Sequence, residues 1–183
     1  MNRLTSYLTA LILAVGLAAV GVSAQNFAPE GTVVKTPNQH QIAKRIRYLS
    51  HYSVFDVINF KVDGSTVVLT GKVASLGTKS AASTAIKGLP GVTKVVNNIE
   101  QLPASPFDDR IRREAIRTFI NRGPAQYFSE IDPAVRIIVE NGNVTLVGTV
   151  ARKSDSDLLN VLANGLTGVF SVTNNIVVEA KAR

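Results

Sequence analysis

The sequence predicts an α+β protein in which one α-β-β-α-β unit occurs twice. Three observations lead there. Displaced by 77 residues, Val62–Ile99 lies on Val139–Ile176 without a gap, and 14 of the 38 positions are identical. Within each copy, two runs of alternating apolar and polar residues flank a two-residue turn. Before and after that hairpin, apolar residues recur at helical spacing. The repeat is about 70 residues, too long for a solenoid unit and suited to a small αβ domain.

The elements follow in chain order. Gln41–Ser50 carries Ile42, Ile46 and Leu49 on one stripe of a short helix, with Lys44, Arg45 and Arg47 away from it. Ile58, Phe60 and Val62 then alternate with Asn59 and Lys61, and Val67, Leu69, Gly71 and Val73 alternate with Val68, Thr70 and Lys72. Period two places one set of each strand on the core face. The turn is Gly64-Ser65 in the first copy and Asn141-Gly142 in the second. Gly-X suits a type II′ turn and Asn-Gly a type I′ turn, both two-residue hairpin loops. This sets the register: Asp63 faces Thr66, Phe60 faces Leu69, Ile58 faces Gly71 and Val135 faces Gly148. Gly71 and Gly148 therefore fall on the core face, which implies close approach of a helix or a neighbouring backbone.

A second helix follows, with the stripe Ala82, Ala85, Ile86 and Leu89 in one copy and Leu159, Leu162, Ala163 and Leu166 in the other. Ser154-x-x-Asp157 has the form of a capping box. Gly88 and Gly165 are placed to end the helices, and Gly91 and Gly168 to turn the chain into a last strand, roughly Val92–Leu102 and Val169–Glu179. Residues 103–105 link the copies. Ser105 and Pro106 then start a helix with Asp108 and Asp109 in its first turn. In that helix Ile111, Ala115, Phe119 and Ile120 are read as inward, and Arg110, Arg112, Arg113 and Arg117 as outward.

The ends carry a second message. Residues 1–24 combine a positive start at Arg3, an apolar run Leu8–Val22 and the small-x-small end Val22-Ser23-Ala24. They are read as a signal peptide, with the mature chain starting at Gln25 and no transmembrane span in it. Residues 25–40 contain Pro29, Gly31 and Pro37 and are read as a flexible lead-in. The chain has no cysteine, which excludes disulfides, thiolate metal sites and cysteine nucleophiles. Its net charge of +7 calls for an acidic partner, and after export that means lipid head groups or other anionic envelope polymers rather than nucleic acid.

Together the hairpin, the G-x-V-A strand end, the helix and the G-L-x-G-V-x2-V-x-N run resemble the BON domain (bacterial OsmY and nodulation). The resemblance spans 41–102 and 106–180. It implies a three-stranded sheet packed on two helices in each copy. Two copies behind a signal peptide resemble the osmotically induced periplasmic members. The resemblance further implies a non-enzymatic envelope role: attachment to anionic phospholipid, or protection under osmotic stress.

The candidate residues are weighed on that basis. Gly88–Gly91 and Gly165–Gly168 are GxxG sequences, but each joins a helix to a strand, so they are turns rather than nucleic-acid clamps. Asn97 and Asn174 recur in the last strands, where Asn bonds to nearby backbone. His40 and His51 have no counterparts in the second copy, and no metal, cofactor or catalytic group is expected. Arg110, Arg113 and Arg117 share one helix face at i, i+3, i+7, with Arg112 beside them. Lys44, Arg45 and Arg47 form a smaller group on the matching helix. These seven are the lipid-binding candidates. The outer sheet faces, with Val68, Ile138 and Val147, are expected to be covered by packing of one copy on the other. Two other functions stay open: a chaperone-like periplasmic stress protein, and an assembly module that binds envelope partners through its strand edges.

Overall fold

The computed structural model describes residues 36–129 and 131–179. The leader read at 1–24 and most of the lead-in lie outside them. The first copy runs α1 (Gln39–Arg47), β1 (Val57–Asp63), β2 (Thr66–Val73), α2 (Leu76–Lys87) and β3 (Lys94–Gln101). The second runs α3 (Pro106–Arg122), β4 (Val135–Glu140), β5 (Asn143–Val150), α4 (Lys153–Asn164) and β6 (Ser171–Val178), with a short 3-10 turn at Ala125–Tyr127 after α3. Both three-stranded sheets have sequential order, antiparallel across the hairpin and parallel from second to third strand. The predicted α+β class and element order hold in both copies.

The register is the one the turns dictate. Asp63 pairs with Thr66, Phe60 with Leu69, Ile58 with Gly71, and Val135 with Gly148. Each sheet buries one face under its own helices. Ile42, Ile46, Val67, Leu69, Ala82, Ile86 and Ile99 are among those filling the first core. Ile111, Ala115, Phe119, Val135, Ile137, Leu146, Leu159 and Ala163 are among those filling the second.

The two strand glycines owe their identity to backbone, not to a helix. Gly71 has φ +124° and Gly148 φ +147°. A Cβ at either would overlap a carbonyl oxygen, that of Val57 on β1 or of Ala134 just before β4. Any side chain there pays twice, in backbone strain and in overlap.

Three local expectations are corrected. α1 begins and ends earlier than its stripe suggests, because Asn38 caps it by accepting the His40 and Gln41 amides at 2.9 and 3.4 Å. The Ser154-x-x-Asp157 capping box does not form. Helix α4 starts one residue before Ser154 without a side-chain cap, and Asp157 instead pairs with Lys153 at 2.7 Å one turn back. Ile120 is not inward but 47% exposed, because the stripe set by Ile111, Ala115 and Phe119 turns it to the far side of the helix.

The copies meet through the segment between α1 and β1. Val54 and Phe55 pack against the core of the second copy. The Val54 carbonyl accepts the Ile137 amide at 2.8 Å, so this segment partly closes the free edge of β4. Arg136 donates to the Ser53 and Asp56 carbonyls at 2.9 and 3.1 Å and lies over the Tyr52 ring at 4.3 Å. The Asp56 carboxylate, almost fully buried, accepts from Ser53 N–H and Oγ–H and from the Ala74 amide at 2.7–2.9 Å, which holds the segment in shape. Arg47 pairs with Asp132 at 3.2 Å, and Lys72 with Glu140. Of the three outer-face residues expected to be covered, Ile138 is buried, whereas Val68 and Val147 are only half-buried.

Three outcomes test this packing. Gly148→Val should destabilise the protein by about 3 kcal/mol, measured by chemical denaturation. Val147→Thr, one residue earlier on the outer face, should cost under about 1 kcal/mol in the same assay. Arg136→Ala should cost on the order of 2–3 kcal/mol through the lost stack and two lost hydrogen bonds, and should split one thermal transition into two. Alkali should also loosen this interface. Burial raises the Tyr52 pKa, against an opposing effect of Arg136, and the hydrogen bond to Glu140 raises that of Lys72. Both folded values exceed the unfolded ones, so the stability they supply is complete below about pH 10 and is lost as pH rises through the folded values. Tyr52→Phe should flatten that loss in an alkaline melting series.

Candidate functional site

Seven basic residues stand out in the sequence, and the structure sorts them into three kinds. Arg110, Arg113 and Arg117 lie exposed on the outward face of α3. Among the described residues, no carboxylate is within ion-pair distance of any of the three. Arg110 lies over the Phe107 ring at 5.3 Å, and Phe107 stacks on Phe170 with centroids 5.9 Å apart. That stack anchors the base of the arginine row. Glu114, the one acidic residue among them, turns aside: its carboxylate accepts the Thr167 amide at 3.4 Å.

Arg112 belongs elsewhere. It is 6% exposed, not outward. One guanidinium nitrogen donates to the Val139 carbonyl and another to Asp109, both at 2.6 Å. Its helical position lies beside Ile111, Ala115 and Phe119, and the edge strand β4 offers a carbonyl that needs a donor. Arg112 therefore fastens α3 to the sheet. Asp108, buried one turn earlier, does the same at the hairpin by accepting the Asn141 and Gly142 amides at 2.9 and 2.8 Å.

The smaller basic group is divided too. Arg47 is engaged with Asp132 of the second copy. Lys44 and Arg45 are exposed and, with Gln41, Tyr48 and Gly88–Pro90, line a groove of about 530 Å³ where α1 meets the end of α2. They stand near two helix C-termini, where cations are favoured by the helix dipole in any case.

The remaining candidates are internal. Asn97 donates to the Lys79 carbonyl of α2 at 2.8 Å and accepts the Ile99 amide at 3.2 Å. Asn174 repeats both bonds, to the Ser156 carbonyl of α4 at 3.2 Å and from the Ile176 amide at 3.1 Å. Each ties a helix to an edge strand and satisfies one of that strand's amides. Gly91 and Gly168 have φ of 86° and 85° in the turn before the last strand, and a Cβ on Gly168 would come within 2.9 Å of Phe107. His40 and His51 are both exposed.

Sequence reasoning misses the roles of Arg136, Asp56 and Asp108. Only Asp108 carries a clue, its place beside Asp109 in the first turn of α3, and that clue points to the helix dipole rather than to the hairpin. Among the described residues no helix is long and apolar enough to cross a membrane.

What these features define is a pair of small sheet-and-helix modules with an arginine face that no described carboxylate neutralises. The BON domain model matches residues 38–103 and again 108–180, and the chain belongs to the BON domain family. BON domains associate in general with membranes, phospholipid or other envelope components, and they are generally non-enzymatic. No curated protein matches the chain. Among solved structures it is similar to the C-terminal domain of CdsD, the structural protein of the type III secretion system of Chlamydia trachomatis. Identity is 13%, covering 78% of this chain and 97% of that one, with a TM-score of 0.31. A second CdsD structure matches at 14% identity over 78% and 92% of the respective chains, with the same TM-score of 0.31.

Proposed function

We propose that this protein is exported to the periplasm and attaches to anionic phospholipid surfaces, serving envelope maintenance or protection under osmotic stress. The observation that carries the reading is the arginine row of α3. Arg110, Arg113 and Arg117 point outward together, and no carboxylate among the described residues neutralises them. A row of this kind suits a negative plane rather than a single small ligand. Each basic side chain close to an anionic bilayer adds roughly 1 kcal/mol, so three give on the order of a hundredfold in affinity. The net charge of +7, lowered by one when Arg3 leaves with the leader, acts in the same direction at longer range. Membership of a family that associates with membranes supports the choice of lipid over other polyanions.

Co-sedimentation with vesicles tests it. The protein should bind phosphatidylglycerol-containing vesicles and ignore neutral phosphatidylcholine ones. Binding should weaken steeply between low and physiological salt. R110E/R113E/R117E should abolish it while leaving the melting temperature within a few degrees, since none of the three is buried. K44E/R45E should reduce binding less. A wild-type protein that ignores anionic vesicles at low salt ends this reading.

A further inference from the structure

The repeat supplies its own internal control, because equivalent positions of the two copies share a backbone and differ only in what they present. Helix α4 exposes two large aliphatic side chains, Leu158 at 41% and Val161 at 66%. Seventy-seven residues earlier the same positions of α2 hold Ala81 and Thr84. Exposed aliphatic residues are common singly, but here they are paired, three apart on one helix, in the copy that carries the arginine row.

The placement of the two helices puts these features on one surface. α3 and α4 lie side by side on the same face of their sheet. Glu114 of α3 reaches the Thr167 amide just beyond α4, and Gly123 at the end of α3 abuts Leu162. Leu159, Leu162 and Ala163 point into the core, which turns Val161 directly outward. Leu158 leaves on the flank it shares with Leu162, the side of α3. On α3 the core stripe likewise turns Arg113 and Arg117 outward. The outer face of this helical layer thus combines Leu158 and Val161 with the outward arginines of α3, while Ile120, on the flank of Arg112, leans toward the free edge of β4. Asp157, the acid next to this patch, is taken up by Lys153.

We infer that Leu158 and Val161 enter the acyl boundary of an anionic bilayer while the α3 arginines hold its head groups. This rests on the function proposed above and adds the lipid's apolar part to it. The chemistry argues for a bilayer over a soluble polyanion. An anionic polymer needs only the cations, whereas a bilayer interface takes cations and a shallow apolar face together. The first copy, with Ala81 and Thr84 at the same positions, stays in water.

The chain has no tryptophan, so one introduced residue reports alone. V161W and, as control, T84W are mixed with phosphatidylglycerol vesicles containing brominated lipid. V161W emission should shift to the blue and be quenched; T84W should do neither. L158S/V161S should bind the same vesicles at least about tenfold more weakly, and most of that loss should persist at high salt. If wild type and V161W sediment with vesicles but the tryptophan is neither shifted nor quenched, attachment is by charge alone, and this inference falls while the proposed function stands. If nothing sediments, both fall. A concentration-dependent blue shift without vesicles assigns the patch to contact between copies of the chain and likewise overturns it.

Discussion

Strand alternation places Arg136 between the inward-facing Val135 and Ile137, so its side chain must leave on the outer face of the sheet, and the arrangement of the two copies depends on what it meets there. An isolated arginine would sit in water. Instead it reaches two carbonyls of the segment before β1 and stacks on Tyr52, with its side chain 14% exposed. Those acceptors are neutral, and the nearest carboxylate, the half-exposed Asp132, comes only to 3.9 Å. The carboxylate of Asp56 remains available for the Ser53 and Ala74 amides that shape the segment. Cation and anion each have their own hydrogen-bond partners, which offset part of the cost of burying each charge.

The consequence reaches the functional surface. Arg136 and Ile138 turn the β4 side of the second sheet's outer face to the first copy, while the outward positions of β6, such as Val177, stay exposed, and the helices form the opposite free layer of the second copy. A face of α3 and α4 thereby becomes the free surface, and its composition can respond to a ligand without disturbing either core. Arg112 and Asp108 complete the arrangement by fastening α3 to the edge of β4 and to the hairpin. The arginine row therefore stands on a helix held at several points along its length.

Comparison of the copies separates what folding requires from what it leaves open. Asn97 and Asn174 make the same two bonds, one to the helix and one to an edge-strand amide. Gly71 and Gly148 meet equivalent carbonyl oxygens. These are constraints of backbone geometry, and both copies obey them with the same residues. At Ala81 and Leu158, or Thr84 and Val161, no such constraint acts, and the sequences part. Support at the end of the second strand differs as well. The Ala74 amide is held by Asp56, while its counterpart at Ala151 donates to the Tyr127 hydroxyl at 3.0 Å.

The sequence by itself determined the repeat, the element order, the hairpin register and the two core stripes. All of these follow from periodicity and turn chemistry, which act between residues close in the chain and are legible twice over. It also determined that Gly71 and Gly148 lie on the core face, though not that a neighbouring carbonyl is what excludes a side chain. Tertiary structure alone decided the rest. Charge predicts an outward Arg112, yet an edge carbonyl far along the chain draws it in. Apolar character predicts an inward Ile120, yet Phe119 and its stripe already fill the core face of the helix. Arg136 and Asp56 carry no local pattern at all, because their roles come from a contact between segments 80 residues apart, which no periodicity records. The arginine row of α3 was legible from its spacing, and what three dimensions decided is the direction of Glu114, the acid set among its residues, which finds its partner in the Thr167 amide.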